Sequence, residues 1–191
     1  GSHWAGRVPL FDTRMVDMSN DTESRIVLVD LISRASELAE FRSSVYARWL
    51  RRHVNVIVIG RSIGPVAAFN HHGRAIMFDV QAGKHLDLHA VAAILVHEVT
   101  HARIAAGTPS SVGDSTEARI RIERRCAREE LDFLTNVDPS HPLVAWRRAT
   151  LSSSNASDVV WTDSGHVMRR RTYRRLRELG LPRWMARQFA R

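Results

Sequence analysis

The chain has 191 residues, 44% of them hydrophobic and 25% charged, which suits one soluble globular domain with a real core. Its net charge is +8, its sequence pI is about 11.1, and Lys84 is the sole lysine, so arginine carries nearly all the positive charge. That balance suits a nucleic-acid or acidic partner, or a surface solvated by arginine, and excludes nothing about fold. No apolar run approaches the ~20 residues needed to span a bilayer, so no membrane role is expected. Cys126 is the only cysteine, which excludes an internal disulfide and a Cys-rich structural zinc site. It favours a cytoplasmic compartment, with secretion left open because Gly1-Ser2-His3 resembles a tag-removal scar.

Residues 1–20 show no periodicity and are expected to form a loose N-terminal arm. A domain is expected over 21–151, followed by a linker and basic helical tail over 152–191 packed on it. From Asp21 to Arg52 apolar residues recur at helical spacing (Ile26, Val29, Ile32, Ala35, Leu38), with a break expected near Arg42-Ser43-Ser44. The period then changes. His53–Gly60 is β-branched and reads as a strand. Gly64-Pro65 marks a turn, Val66–Phe69 a second short strand, and Asn70-His71-His72-Gly73 the turn into a third, Arg74–Val80. Residues 81–84 read as a loop.

Asp87 suits the N-cap of a helix running from about Leu88 to Ala106 and stopping at Gly107. It is apolar nearly all round and should lie at the centre of the domain. Asp114-x-x-Glu117 resembles a capping box for the next helix, from about Ser115 to Asn136. Asp138-Pro139 ends that helix and His141-Pro142 opens a short segment to Leu151. The order predicts an α+β fold: a three-stranded or slightly larger mixed sheet, a central helix, a second helix packed on it and a helical tail.

The central helix carries His97-Glu98-Val99-Thr100-His101. Residues four apart stack on one helix face, so both imidazoles can reach one zinc ion at the ~2.0–2.1 Å that zinc–nitrogen bonds require. Glu98 points to the side of that stripe, where its carboxylate can act as base towards a water that the metal acidifies. A bare five-residue match is weak; the apolar flanks strengthen it, because two unliganded histidines and an acid are costly to bury.

A catalytic zinc takes three protein ligands. Glu117, Glu123, Glu129 and Glu130 follow on the next helix, with His141 and His166 beyond. Glu123 is preferred, because small residues three and four positions later, Cys126 and Ala127, allow close helix packing. Glu130 is the runner-up, or a partner for a histidine's free N–H. Glu117 suits the cap and Glu129 the solvent. Cys126 reads as a small side chain packing helix against helix.

H-E-x-x-H followed by Glu123 in an E-x-x-C-A setting resembles the gluzincin metallopeptidases, the minigluzincins foremost and the ImmA/IrrE-type peptidases next. The resemblance covers roughly residues 50–135, and Ala127-Arg128 departs from the A-N and A-D pairs of those families. It implies a Zn2+-dependent peptidase acting on a peptide or protein, with His97, His101 and Glu123 as ligands and Glu98 as base. It also implies that the strand before the central helix borders the cleft and pairs with substrate as an added strand, here through Ile76, Met77 and Phe78. An oxyanion stabiliser is expected among Tyr173, His166 and Tyr46.

Met168–Arg177 carries six arginines in ten residues. This points to a nucleic-acid or acidic partner, against a solvated terminal helix. The rival reading of the whole chain is therefore a basic nucleic-acid- or protein-binding module with a structural or decayed zinc site.

Overall fold

The computed structural model describes residues 3–7, 14–17, 22–60, 66–107 and 115–152. The fold is α+β. In chain order the elements are β1 (His3–Arg7), β2 (Arg14–Asp17), α1 (Thr22–Arg42), α2 (Ser44–His53), β3 (Val56–Gly60), β4 (Ala67–Asn70), β5 (Ala75–Asp79), α3 (Val80–Gly83), α4 (Leu88–Gly107), α5 (Thr116–Val137) and α6 (Pro142–Ser152).

The expected three strands form the middle and one edge of a mixed sheet, ordered β1-β2-β3-β5-β4. β3 and β5 run parallel, with Ile57 opposite Ile76, while β4 runs antiparallel to β5. The N-terminal arm departs from expectation: it supplies β2, parallel to β3, and β1, antiparallel to β2. Neither segment is long or regular enough to announce itself. Among the described residues β1 pairs only with its neighbour β2, and β2 is held in the sheet by β3, some forty residues away, with Met15 buried in the main core.

Alternation along the strands sorts side chains between the two faces. Ile57, Ile59, Ile76 and Phe78 join Leu28 and Ile32 of α1 and Val91, Leu95 and Val99 of α4 in the main core. Val58, Ala75 and Met77 form a second small cluster on the opposite face. All five residues of β5 are buried, as suits a strand paired on both sides. This corrects the expectation for Ile76, Met77 and Phe78. β5 has β3 on one side and β4 on the other, so it has no free edge for substrate. The outer edge belongs to β4.

Local chemistry fixes the joints. Asp79 accepts hydrogen bonds from the backbone N–H groups of Gln81 and Ala82, at 2.8 and 3.0 Å, and so turns the expected loop into the single-turn helix α3. Gly83 lies close under α1, where a Cβ would sit 3.0 Å from the methyls of the buried Leu28 and displace them. At the β4–β5 turn the Asn70 side chain accepts from Gly73 N–H at 2.8 Å, and Arg74 takes a left-handed φ of 48°. The Arg74 guanidinium donates to the Arg52 and His53 carbonyls at the end of α2, tying the hairpin to that helix.

Asp87 caps α4 as expected, its carboxylate accepting from Ala90 N–H at 2.8 Å. At α5 the cap is Ser115, whose Oγ accepts from Ala118 N–H at 3.1 Å, in place of the capping box expected at Asp114. α4 and α5 pack closely on one another, and α6 folds back on α5. The linker expected after Ser152 and the arginine-rich tail lie outside the described residues, as do His166 and Tyr173. No helix among the described residues is long and apolar enough to cross a membrane.

Candidate metal centre

His97 and His101 lie on α4, one turn apart, with their Nε2 atoms 3.2 Å from each other. Glu123 reaches across from α5: one carboxylate oxygen lies 3.4 Å from His97 Nε2 and the other 3.3 Å from His101 Nε2. Two donors bound tetrahedrally at about 2.0–2.1 Å from zinc lie about 3.3–3.4 Å apart. The Nε2–Nε2 separation is close to that spacing, and each imidazole meets a different oxygen of the one Glu123 carboxylate, which brings two imidazoles and a carboxylate, donors of the kind zinc accepts, to one place. The sulfur of Cys126 lies in the same place. Ligand atoms of His97, His101 and Cys126 are all within 4.8 Å of one another, close enough to hold a metal ion.

Glu130 does not face the centre of this triangle. Its Oε2 accepts from His97 Nδ1 at 2.9 Å, and Arg147 of α6 donates to the same oxygen. A proton on Nδ1 leaves the Nε2 lone pair of His97 directed at Glu123 and His101. Glu130 is 2% exposed, and Arg147 balances its charge. Of the two roles open to Glu130, the histidine partner is therefore the one its geometry fits.

Glu98 is buried beside the pair at 6% exposure. Burial pushes its carboxyl above the usual range; His97 and His101 pull it down, Glu123 adds to the rise, and the Phe69 backbone N–H of β4 favours the ionised form. Burial alone would lower His97, but hydrogen bonds to Glu123 and Glu130 outweigh it and raise the imidazole to about 10. Burial likewise opposes ionisation of Glu123, and the His101 and His97 contacts overcome it, holding the carboxyl well below the usual range. Burial pushes the Cys126 thiol up, and Glu123 and Glu98 add to the effect. The raised His97 and the lowered Glu123 both show that this cluster favours positive charge.

The remaining candidates are engaged elsewhere. His141 Nδ1 accepts from Leu143 N–H at 3.2 Å, and its Nε2–H meets Asp87 at 2.9 Å, at the opposite end of α4 from His101. Glu129, expected to face solvent, is half-buried and accepts from the Tyr46 hydroxyl at 3.0 Å. Tyr46 packs edge-on against Trp49 and Phe133, so it joins α2 to α5. His71 and His72 sit in the hairpin turn with their rings 3.8 Å apart, as the turn reading expects. The residue that the sequence undervalued is Cys126. It lies three positions after Glu123, a spacing that puts both on one helix face, and that signal was available.

Compared with family models, curated proteins and solved structures, the chain gives no significant match.

Proposed function

We propose that the chain is a zinc-dependent hydrolase, a metallopeptidase with Glu98 as general base. The observation that carries this reading is the His97–His101 pair, with Nε2 atoms 3.2 Å apart and each 3.3–3.4 Å from an oxygen of Glu123, beside the buried carboxyl of Glu98. His97, His101 and Glu123 would hold the ion, with Glu130 orienting His97. When bound, zinc supplies Lewis acidity, polarising a carbonyl and acidifying a water.

The chain's own residues do the rest. Glu98 is kept out of the donor triangle by its position on α4, and its carboxylate is free to take a proton from water and pass it to a leaving amine. Burial raises the Glu98 carboxyl above its usual range, which suits a group that takes up a proton, while the two imidazoles and the Phe69 N–H offset part of that rise.

Substrate would lie along β4. Asp79 N–H donates to Val66 carbonyl at 2.8 Å, so residues 66 and 79 form a hydrogen-bonded pair. Alternation in an antiparallel ladder then turns the backbone N–H and C=O of Ala67 and Phe69 away from β5, towards the outer edge. Phe69 N–H is taken by Glu98, so Ala67 and the Phe69 carbonyl are the pairing groups, and an extended peptide added there passes beside Glu98.

The test is hydrolysis of an unfolded protein by wild type and Glu98→Gln at equal zinc content. Loss of a general base predicts a fall in kcat of about 10²- to 10⁴-fold with zinc retained. Equal rates in the two proteins would remove Glu98 from the mechanism.

A further inference from the structure

We propose that Cys126 is a further donor to the ion held by His97, His101 and Glu123, closing the position that a three-ligand catalytic centre leaves to water. The inference rests on the metal reading above.

Two observations carry it. The Cys126 sulfur shares a 4.8 Å sphere with ligand atoms of both histidines. Glu123, whose oxygens lie 3.3–3.4 Å from the same imidazoles, precedes Cys126 by three residues on α5. Carboxylate and thiol therefore approach from one helix face, opposite the two histidines of α4. Zinc–sulfur bonds of about 2.3 Å and zinc–nitrogen bonds of about 2.0–2.1 Å place sulfur about 3.6 Å from nitrogen in a tetrahedral site. In the structure the sulfur lies within 4.8 Å of both imidazoles, so binding brings it closer by about 1 Å at most. Cys126 is fully buried between the helices, which shields its sulfur from competing partners in solvent.

Four protein donors define a closed centre, whereas three leave room for water. A bound Cys126 gives up its proton to solvent, as any thiolate ligand does on metal loading. Hydrolysis by the mechanism above therefore requires Cys126 to leave that position. A thiolate also shifts preference towards softer ions such as cadmium and away from manganese and magnesium.

Cobalt(II) reads this directly. The full chain, stripped of metal and loaded with Co2+ in thiol-free buffer, should show visible d–d bands and a near-ultraviolet sulfur-to-cobalt charge-transfer band. Cys126 is the only cysteine, so no other thiol can give that band. Cys126→Ser should keep the d–d bands and lose the charge-transfer band. Wild-type protein that binds Co2+ without the charge-transfer band overturns the inference and leaves the metal centre standing, and so does a band that survives Cys126→Ser. Wild-type protein that binds no Co2+ overturns the metal reading and this inference with it. Should Cys126→Ser fail to fold, the wild-type spectrum alone decides.

Discussion

At the scale of single residues, three glutamates near one histidine pair have three different environments, and environment separates their roles. Glu123 faces both imidazole Nε2 atoms, Glu130 faces the Nδ1 of His97, and Glu98 lies buried to the side. Replacing Glu123 with Ala in a Cys126→Ala background, where only the two imidazoles remain, should abolish stoichiometric zinc binding. Glu130→Gln should weaken affinity by about 10- to 100-fold while keeping stoichiometry, the usual cost of losing a partner that orients a ligand. Competition with a chromophoric chelator measures both; the reverse order of effects would exchange the two assignments. His97, Glu98 and His101 were legible because helical spacing alone aligns them. Glu123 was legible through its small neighbours on α5. The direction in which Glu130 points depends on Arg147 and on the packing of α6, and no local pattern encodes that.

At the scale of elements, the three strands of the central region were legible and their order was not. The family resemblance implied that the strand before the central helix borders the cleft, but β4 folds outside β5 and takes the edge. Strand order is set by long-range pairing, which period-two alternation cannot reveal. The β4 edge can be tested without harming the fold, since proline is tolerated where an N–H points outward. Ala67→Pro should leave thermal stability nearly unchanged and lower kcat/KM on a peptide by about 2- to 12-fold, the weight of one hydrogen bond of about 0.5–1.5 kcal/mol. An unchanged kcat/KM would place the substrate elsewhere. The start of α4 offers a second test. Asp87 caps the helix through Ala90 N–H and also meets His141, so it joins α4 to α6. Asp87→Ala should cost about 1 kcal/mol, the usual loss for a cap. Thermal unfolding should show a fall of about 2–4 °C in Tm for a chain of this length.

At the scale of the whole molecule, two buried helices bring a cluster of acids and imidazoles to the middle of the domain, and its charge must be balanced. Without metal, a proton on His97 does this, raised to about 10 by Glu123 and Glu130. The unfolded histidine titrates near 6.5, so between about 6.5 and 10 the folded state binds more protons than the unfolded one. Stability from this contact is therefore complete below the unfolded value and is lost as pH rises through the folded one. Glu123, held below its usual range, contributes above about 4.3 and loses that contribution as pH falls. Metal-free protein should thus have its highest Tm between about pH 4.5 and 6.5. Zinc binding needs unprotonated imidazoles, so the stabilisation that zinc adds should grow as pH rises. A series of melting curves with chelator and with zinc would show the two profiles diverging. Identical profiles would mean that the cluster takes up no ion.

The α+β class and the helix pair were legible from periodicity and caps, whereas the strands of the N-terminal arm were not, because only the sheet gives them partners. Zinc content by elemental analysis of wild type and the double variant Glu123→Ala with Cys126→Ala, both purified metal-replete, tests the central claim most directly. One zinc per chain in wild type and none in the double variant is the predicted result. A wild-type protein free of zinc, or a double variant that holds a full equivalent, would contradict it.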